Sequence, residues 1–140
     1  MSSPSRRSDP QVTRFESAKS TEVIIARNRS VLDTLIIASL DPEVRAIAPA
    51  EAISITLNGL VIQHVPDCCL VFDGRSIVVD VYRQPRSAAR GRFEAVEAAH
   101  ATQGVAYECR EPPTVFGSPL LMNSRAVWAA RGFRFRPPIK

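Results

Sequence analysis

Two dipeptides, Asn58-Gly59 and Asp73-Gly74, most constrain what this chain can fold into, because each lies between two runs of apolar residues. Asn-Gly and Asp-Gly favour two-residue turns that join neighbouring antiparallel strands, and Asn-Gly is a strong type I′ signal. The flanking runs are predicted strands over 52–57, 60–65, 67–72 and 76–82. The second and third runs are interpreted as one strand bent near Pro66. The middle of the chain is therefore predicted to be three antiparallel strands.

Helical spacing of apolar residues flanks this region on both sides. It predicts one long amphipathic helix that begins at Ser20 or Thr21 and is stopped by Asp41-Pro42. The further predicted elements are a short edge strand at 44–47, an Ala-rich helix at 87–103, a strand at 105–109 and a last helix from about 118 to 131. A strand–helix–strand passage usually forms a right-handed parallel crossover. The predicted fold class is therefore α/β with a mixed sheet, in the order helix, three antiparallel strands, helix, strand, helix.

Length and composition limit the class of protein. The chain has 140 residues, of which 45% are hydrophobic and 23% charged, which fits one globular domain. Its apolar runs are far shorter than the roughly 18 residues that cross a bilayer, and no apolar segment of a secretory signal follows the first residues. We therefore expect a cytoplasmic protein with a flexible basic arm at 1–18, a domain at 19–132 and a basic tail at 133–140.

The distribution of charge suggests a nucleic-acid partner. Eighteen basic residues stand against fourteen acidic ones, and sixteen of the basic residues are arginine. Four arginines, Arg83, Arg86, Arg90 and Arg92, follow one another with no acidic residue between them. The planar guanidinium group binds phosphate well, so these side chains are predicted to bind DNA. A genome rich in G and C would also raise the arginine content, although it does not explain the clustering.

Two aspartates are predicted to face each other across the second hairpin. If Asp73-Gly74 is a two-residue turn, Asp67 lies opposite Asp80, with the two Cβ atoms roughly 5 Å apart on one face of the sheet. Asp80 also interrupts an apolar run, so its carboxylate requires a partner, a proton or a cation. Two carboxylates that converge from neighbouring strands form a natural site for Mg²⁺ or Mn²⁺.

A third carboxylate, Asp33, lies at the border of the apolar face of the first helix and would reach the same site if that helix packs on the sheet. The alternative is structural. In that interpretation Asp67 caps a turn after Pro66, and Asp80 pairs with an arginine such as Arg75 or Arg27.

The sequence HVPD, a DG turn and then VVDVYR resembles the PD-(D/E)XK nuclease pattern. From about residue 29 to 131 the order of motifs is similar to that of the N-terminal catalytic domain of TnsA-type transposon endonucleases. The resemblance implies a restriction-endonuclease-like fold and a metal-dependent DNA endonuclease that uses Mg²⁺ or Mn²⁺. It makes Asp33, Asp67 and Asp80 the catalytic metal ligands. It also implies DNA and a transposase or other mobile-element protein as partners, and a homodimer is a further expectation.

One position departs from this pattern. The lysine of the motif falls two residues after the second acid, and this chain has Tyr82 there, which makes Tyr82 a further catalytic candidate. A phenol with a pKa of about 10 is a poor substitute for that lysine at neutral pH. Residues that could take over its role are Arg27, Arg29, Lys19 and Gln84. The alternative function is therefore a catalytically degraded protein of the same fold that binds DNA or another protein.

The remaining reactive side chains are interpreted as structural. His64 and His100 have no second histidine or nucleophile at a useful spacing. The three cysteines form no Cys-x-x-Cys motif, so a zinc site and a disulfide framework are both disfavoured.

Overall fold

The structure, a computed structural model, describes residues 13–82, 87–113 and 123–129. Its strands are β1 (Thr13–Phe15), β2 (Ile24–Ala26), β3 (Ala46–Ala48), β4 (Ile53–Leu57), β5 (Leu60–His64), β6 (Cys68–Phe72), β7 (Arg75–Val81) and β8 (Ala106–Arg110). The helices are α1 (Arg29–Leu40) and α2 (Ser87–Thr102), and residues 123–129 are also helical. None of the described helices is long and apolar enough to cross a membrane.

A four-stranded mixed sheet organises the fold, in the order β3, β6, β7, β8. The first three strands are antiparallel, and β8 runs parallel to β7 after the α2 crossover. The prediction of an α/β fold with a mixed sheet is confirmed, as are the α2 helix, the edge strand near Ala46 and the parallel pairing. The described part of the last predicted helix is helical.

Two apolar layers cover the sheet. On one face, α1 packs Val31, Leu35 and Ile36 against residues that include Val79 and Val81 of β7. On the other face, Ile53 and Ile55 of β4 pack with Val96 of α2. Because strand side chains alternate between faces, Asp80 points to the face opposite to Val79, Val81 and α1. This alternation decides which carboxylates can meet.

The prediction of one long first helix is wrong over the first half of that helix. Residues 24–26 form a strand, in which Ile24 is 2% exposed, Ile25 53% and Ala26 0%, the period of two that a strand requires. The helix begins later because the side chain of Asn28 caps it, accepting a hydrogen bond from the Val31 amide at 3.0 Å. The partner of this strand is β1, so Thr13–Phe15, predicted to belong to a flexible arm, is paired strand with a buried Phe15.

The prediction of one bent strand through Pro66 is also wrong. The β4–β5 hairpin forms a separate two-stranded sheet, and the chain enters the four-stranded sheet only at Cys68. Proline has no amide hydrogen to continue a ladder, which explains the break at this point. The turn itself is as predicted: Asn58 and Gly59 have φ values of 53° and 78°, both positive as a type I′ turn requires.

Candidate functional site

The predicted register of the second hairpin is confirmed. Cys68 lies opposite Val79 and Phe72 opposite Arg75, which brings Asp67 beside Asp80 at the open end of the hairpin. The backbone amide of Asp67 donates to Oδ1 of Asp80 at 3.1 Å. The two aspartates therefore meet, but through a backbone donor that neutralises part of their repulsion.

Asp80 lies in the interior and is hydrogen-bonded at both oxygens. Its side chain is 1% exposed. Oδ2 lies 2.6 Å from Nε2 of His64 and accepts a hydrogen bond of 2.6 Å from the hydroxyl of Tyr107. Burial first, and the hydrogen bond and charge of Asp80 next, raise the pKa of Tyr107 well above its ordinary value, so this phenol remains a donor. Asp80 thus has the partners that a buried carboxylate requires.

The contacts of His64 fix the position of its proton. Nδ1 lies 3.0 Å from Nη2 of Arg92. Because a guanidinium can only donate, Nδ1 accepts and the imidazole proton lies on Nε2, where it donates to Asp80. The edge of the imidazole ring also faces Phe93 of α2. Three elements, β5, β7 and α2, are joined by this chain of polar contacts.

Asp67 is held by Arg27. Nε and Nη2 of Arg27 donate to the two carboxylate oxygens at 2.8 and 3.0 Å, and Nη2 also donates to the Val81 carbonyl at 2.8 Å. The Val81 amide in turn donates to Oδ2 of Asp67 at 2.8 Å. Burial alone would lower the pKa of Arg27, but the hydrogen bonds and charge of Asp67 outweigh it and the pKa is raised. Both oxygens of this buried carboxylate are therefore engaged.

Tyr82, at the position of the motif lysine, belongs to the same cluster. The guanidinium of Arg27 stacks over its ring at 4.2 Å, and the ring of Phe93 lies 4.5 Å away. Burial is the main cause that raises the pKa of the Tyr82 phenol. Tyr82 is thus a neutral platform for Arg27, and the positive charge beside Asp67 comes from Arg27.

Asp33 has no described contact with Asp67 or Asp80. It is 2% exposed on α1, which packs on the sheet face opposite to Asp80. Its carboxylate accepts two hydrogen bonds from Arg125, at 3.0 and 2.7 Å, and one from Arg29 at 3.1 Å. Among the residues that the structure describes, no group of three or more His, Cys, Asp or Glu side chains is arranged to hold a metal ion. The described contacts therefore join Asp67 to Asp80 and leave Asp33 in a separate ion pair.

The predicted DNA-binding arginines are only partly visible. Arg83 and Arg86 lie outside the described residues, and Arg90 belongs to α2 without a described side chain. Arg92 is half-buried and contacts His64. Of the residues proposed to replace the motif lysine, Gln84 lies outside the described residues, and among the described contacts of Lys19, Arg27 and Arg29 it is Arg27 that binds Asp67.

Sequence reasoning missed two partners of the site and misassigned a third. The sequence pattern indicates a structural role for His64, gives no role to Tyr107 and offers Arg27 as a partner of Asp80, whereas His64 and Tyr107 contact Asp80 and Arg27 binds Asp67. The parallel register pairs Tyr107 with Val78, which places it on the Asp80 face, so the β7–β8 register was the missing signal. His64 carried no such signal, since β5 belongs to another sheet.

Comparisons of the chain with known proteins found no match among family models, curated proteins or solved structures.

Proposed function

We propose that this protein binds the DNA backbone through clustered arginines on a restriction-endonuclease-like scaffold and does not cut it. The observation that carries this proposal is the bidentate ion pair between Arg27 and Asp67. In a metal-dependent nuclease of the family that the sequence resembles, this carboxylate would hold the cation. Here a guanidinium, which cannot lose its proton at neutral pH, is bound to both of its oxygens.

The topology supports the scaffold. The described core runs α1, β3, β6, β7, α2, β8, with three antiparallel strands followed by a parallel one in spatial order. Apart from β1, β2 and the separate β4–β5 hairpin, this order of elements is similar to the one that the resemblance implies, which supports the proposal. Asp67 immediately precedes β6, and Asp80 lies near the end of β7, as expected for the two acids of the motif.

The state of the carboxylates argues against cleavage. Activation of water by a divalent ion requires carboxylate oxygens that can coordinate it. Asp67 would have to release Arg27 and the Val81 amide, and Asp80 would have to release His64 and Tyr107. Tyr82 in place of the lysine removes a further catalytic group. The occupied carboxylates and the missing lysine all oppose the activation of water by a metal ion, so we expect no metal-dependent cleavage.

The charge around the Asp67–Asp80 pair supports a phosphate ligand. Two guanidinium groups accompany these carboxylates, that of Arg27 bound to Asp67 and that of Arg92 bound to His64. The charge of Asp67 is therefore balanced without a divalent cation. The neighbouring Arg83, Arg86 and Arg90 add to the positive charge in sequence. Backbone binding of this kind is independent of base sequence and strongly dependent on salt.

The first experiment measures fluorescence anisotropy of a labelled DNA duplex with and without EDTA, over a series of salt concentrations. We expect dissociation constants on the order of 10⁻⁶ to 10⁻⁴ M near physiological salt, unchanged by EDTA. Arg86→Gln and Arg90→Gln should each reduce the salt slope by about one. The matched control is Arg45→Gln, since Arg45 pairs with Asp73 at the turn end of the hairpin. Absence of binding, or equal loss in Arg45→Gln, contradicts the proposal.

The second experiment tests cleavage of supercoiled plasmid with Mg²⁺ or Mn²⁺. We expect no nicking by the wild type or by Tyr82→Lys, because Arg27 still holds Asp67 in both. The double variant Arg27→Gln with Tyr82→Lys frees the Asp67 carboxylate and places a lysine at the position of the motif lysine. It is therefore the variant in which nicking is expected if Arg27 and the missing lysine are what prevent cleavage. Nicking by the wild type that disappears in Asp80→Asn would instead establish the endonuclease, with a transposase or other mobile-element protein as the predicted partner.

A further inference from the structure

The outer edge of the β4–β5 hairpin has the properties of an interface. Within the described residues β5 pairs with β4 alone, and β4 is the strand that packs against α2. Leu60 is 67% exposed, Val61 68% and Val65 64%. These are the three most exposed large apolar side chains that the structure describes, and they lie on or directly beside one strand. Long apolar edges of this kind are usually blocked in proteins that stay monomeric.

The hairpin carries no charge. Residues 52–66 contain no Asp, Glu, Lys or Arg, although the whole chain has 32 such residues. The β5 strand also lacks the lysine or proline that commonly protects a sheet edge. Two copies of this chain, each with a net charge of +4, would therefore meet at this edge without like charges facing each other.

The backbone of β5 is complementary to itself. In a hairpin closed by a two-residue turn, the residue pair next to the turn is hydrogen-bonded. Non-hydrogen-bonded and hydrogen-bonded pairs then alternate along the two strands, and the residues of a non-hydrogen-bonded pair point their N–H and C=O groups outward. Since Leu57 pairs with Leu60, the N–H and C=O groups of Val61 and Gln63 point away from β4. An antiparallel copy centred on Ile62 would bring Val61 of each chain opposite Gln63 of the other. A two-fold axis satisfies both pairs at once and closes the assembly at two chains.

We propose that β5 pairs with β5 of a second copy of this chain, forming a continuous four-stranded antiparallel sheet across a homodimer. Two five-residue strands bury less than the roughly 1,600 Å² of a standard interface, so the dimer is expected to be weak. Its dissociation constant should lie in the micromolar range or above. The proposal is independent of DNA binding.

The test is sedimentation equilibrium without DNA, from about 1 μM to about 1 mM chain, a range that brackets such affinities. We expect a reversible monomer–dimer equilibrium. Val61→Pro removes an outward N–H that β4 does not use, and Val61→Lys adds charge to the edge. Each should raise the dimer dissociation constant at least about tenfold. Val61→Thr, which keeps the amide and adds no charge, should leave dimerisation within about threefold.

Ile25→Lys is the matched control, because Ile25 is also exposed on a strand outside the four-stranded sheet. Circular dichroism verifies that each variant is folded, and Val61→Lys decides the outcome if Val61→Pro does not fold. A monomer over the whole range overturns the proposal. So does growth beyond a dimer, or an equal effect of Ile25→Lys and Val61→Lys.

Discussion

The guanidinium of Arg27 donates hydrogen bonds to both carboxylate oxygens of Asp67, at 2.8 and 3.0 Å, and stacks on the ring of Tyr82. This relationship joins the loop before α1 to the start of β6 and the end of β7. It also links two departures from the nuclease pattern. The positively charged Arg27 lies beside Asp67, the first acid of the pattern. Tyr82, at the position of the lysine, provides the aromatic ring on which Arg27 stacks. Arg27 therefore acts first as a structural counter-ion of Asp67.

We predict that Arg27→Met destabilises the protein by about 2 kcal/mol. Removal of one partner of a buried pair ordinarily costs about 3–5 kcal/mol because the other charge stays buried. The figure is reduced here because the Arg27 side chain is 38% exposed and water screens it, whereas Asp67 is 5% exposed. Urea denaturation followed by circular dichroism measures the change.

Two further variants separate this effect from loss of a surface contact. Arg45→Met breaks the exposed pair with Asp73 and should leave the free energy of unfolding nearly unchanged. Adding Asp67→Asn to Arg27→Met removes the stranded charge and should recover part of the loss. If Arg27→Met is no more harmful than Arg45→Met, Arg27 does not balance the Asp67 charge.

The part of this site that could be predicted from sequence is the part that depends on local rules. The Asp73-Gly74 turn fixes the hairpin register, so the approach of Asp67 to Asp80 follows from counting along two strands. The contacts of Asp80 with His64 and Tyr107 depend on how a separate hairpin and a parallel strand pack, and no local pattern encodes that. The strand at Ile24 was hidden because its apolar residues also fit a helical spacing.

We predict that Tyr107→Phe lowers stability at neutral pH by about 1 kcal/mol. It removes a hydrogen bond to the Asp80 carboxylate, and bonds to carboxylates contribute about 1.5–3 kcal/mol, less for a side chain that is only half-buried. The matched control is Tyr82→Phe, whose hydroxyl makes no described contact with Asp80 and whose ring can still carry Arg27. Thermal unfolding of both variants makes the comparison. Equal losses would refute a specific role for the Tyr107 hydroxyl.

The hydroxyl of Tyr107 also makes the stability of the protein depend on pH in the alkaline range. The pKa of Tyr107 is raised in the folded state, mainly by burial and then by Asp80, so the unfolded chain ionises first as pH rises. Stability due to this group is fully present below a pH of about 10 and is lost progressively above it. The difference in unfolding free energy between wild type and Tyr107→Phe should therefore shrink above that pH. A constant difference would contradict the shifted pKa.

We predict that the Cys68 thiol reacts with aromatic disulfide reagents only when the protein unfolds. Its side chain is 0% exposed, and burial, followed by the charge of Asp67, raises its pKa to about 12. Cys69 and Cys109 are half-buried and should react in the native state, though slowly because burial raises the pKa of both thiols. The double variant Cys69→Ala with Cys109→Ala isolates Cys68. Fast native labelling of that variant would show that β6 is not buried as described.

We predict that Arg125→Met destabilises the protein more than Arg29→Met, although both arginines bind Asp33. Arg125 makes two hydrogen bonds to the carboxylate and is 33% exposed, whereas Arg29 makes one and is 59% exposed. Loss of Arg125 should cost about 1 kcal/mol, a figure reduced for its exposure, and loss of Arg29 less than half of that.

Arg125 also ties the helical segment 123–129 to α1, and Trp128 of this segment stacks on Phe15 at 5.0 Å. Arg125→Met should therefore weaken the near-ultraviolet signal of Trp128 while Arg29→Met preserves it. If both variants lose stability equally and keep that signal, the ion pair does not hold the last helix in place.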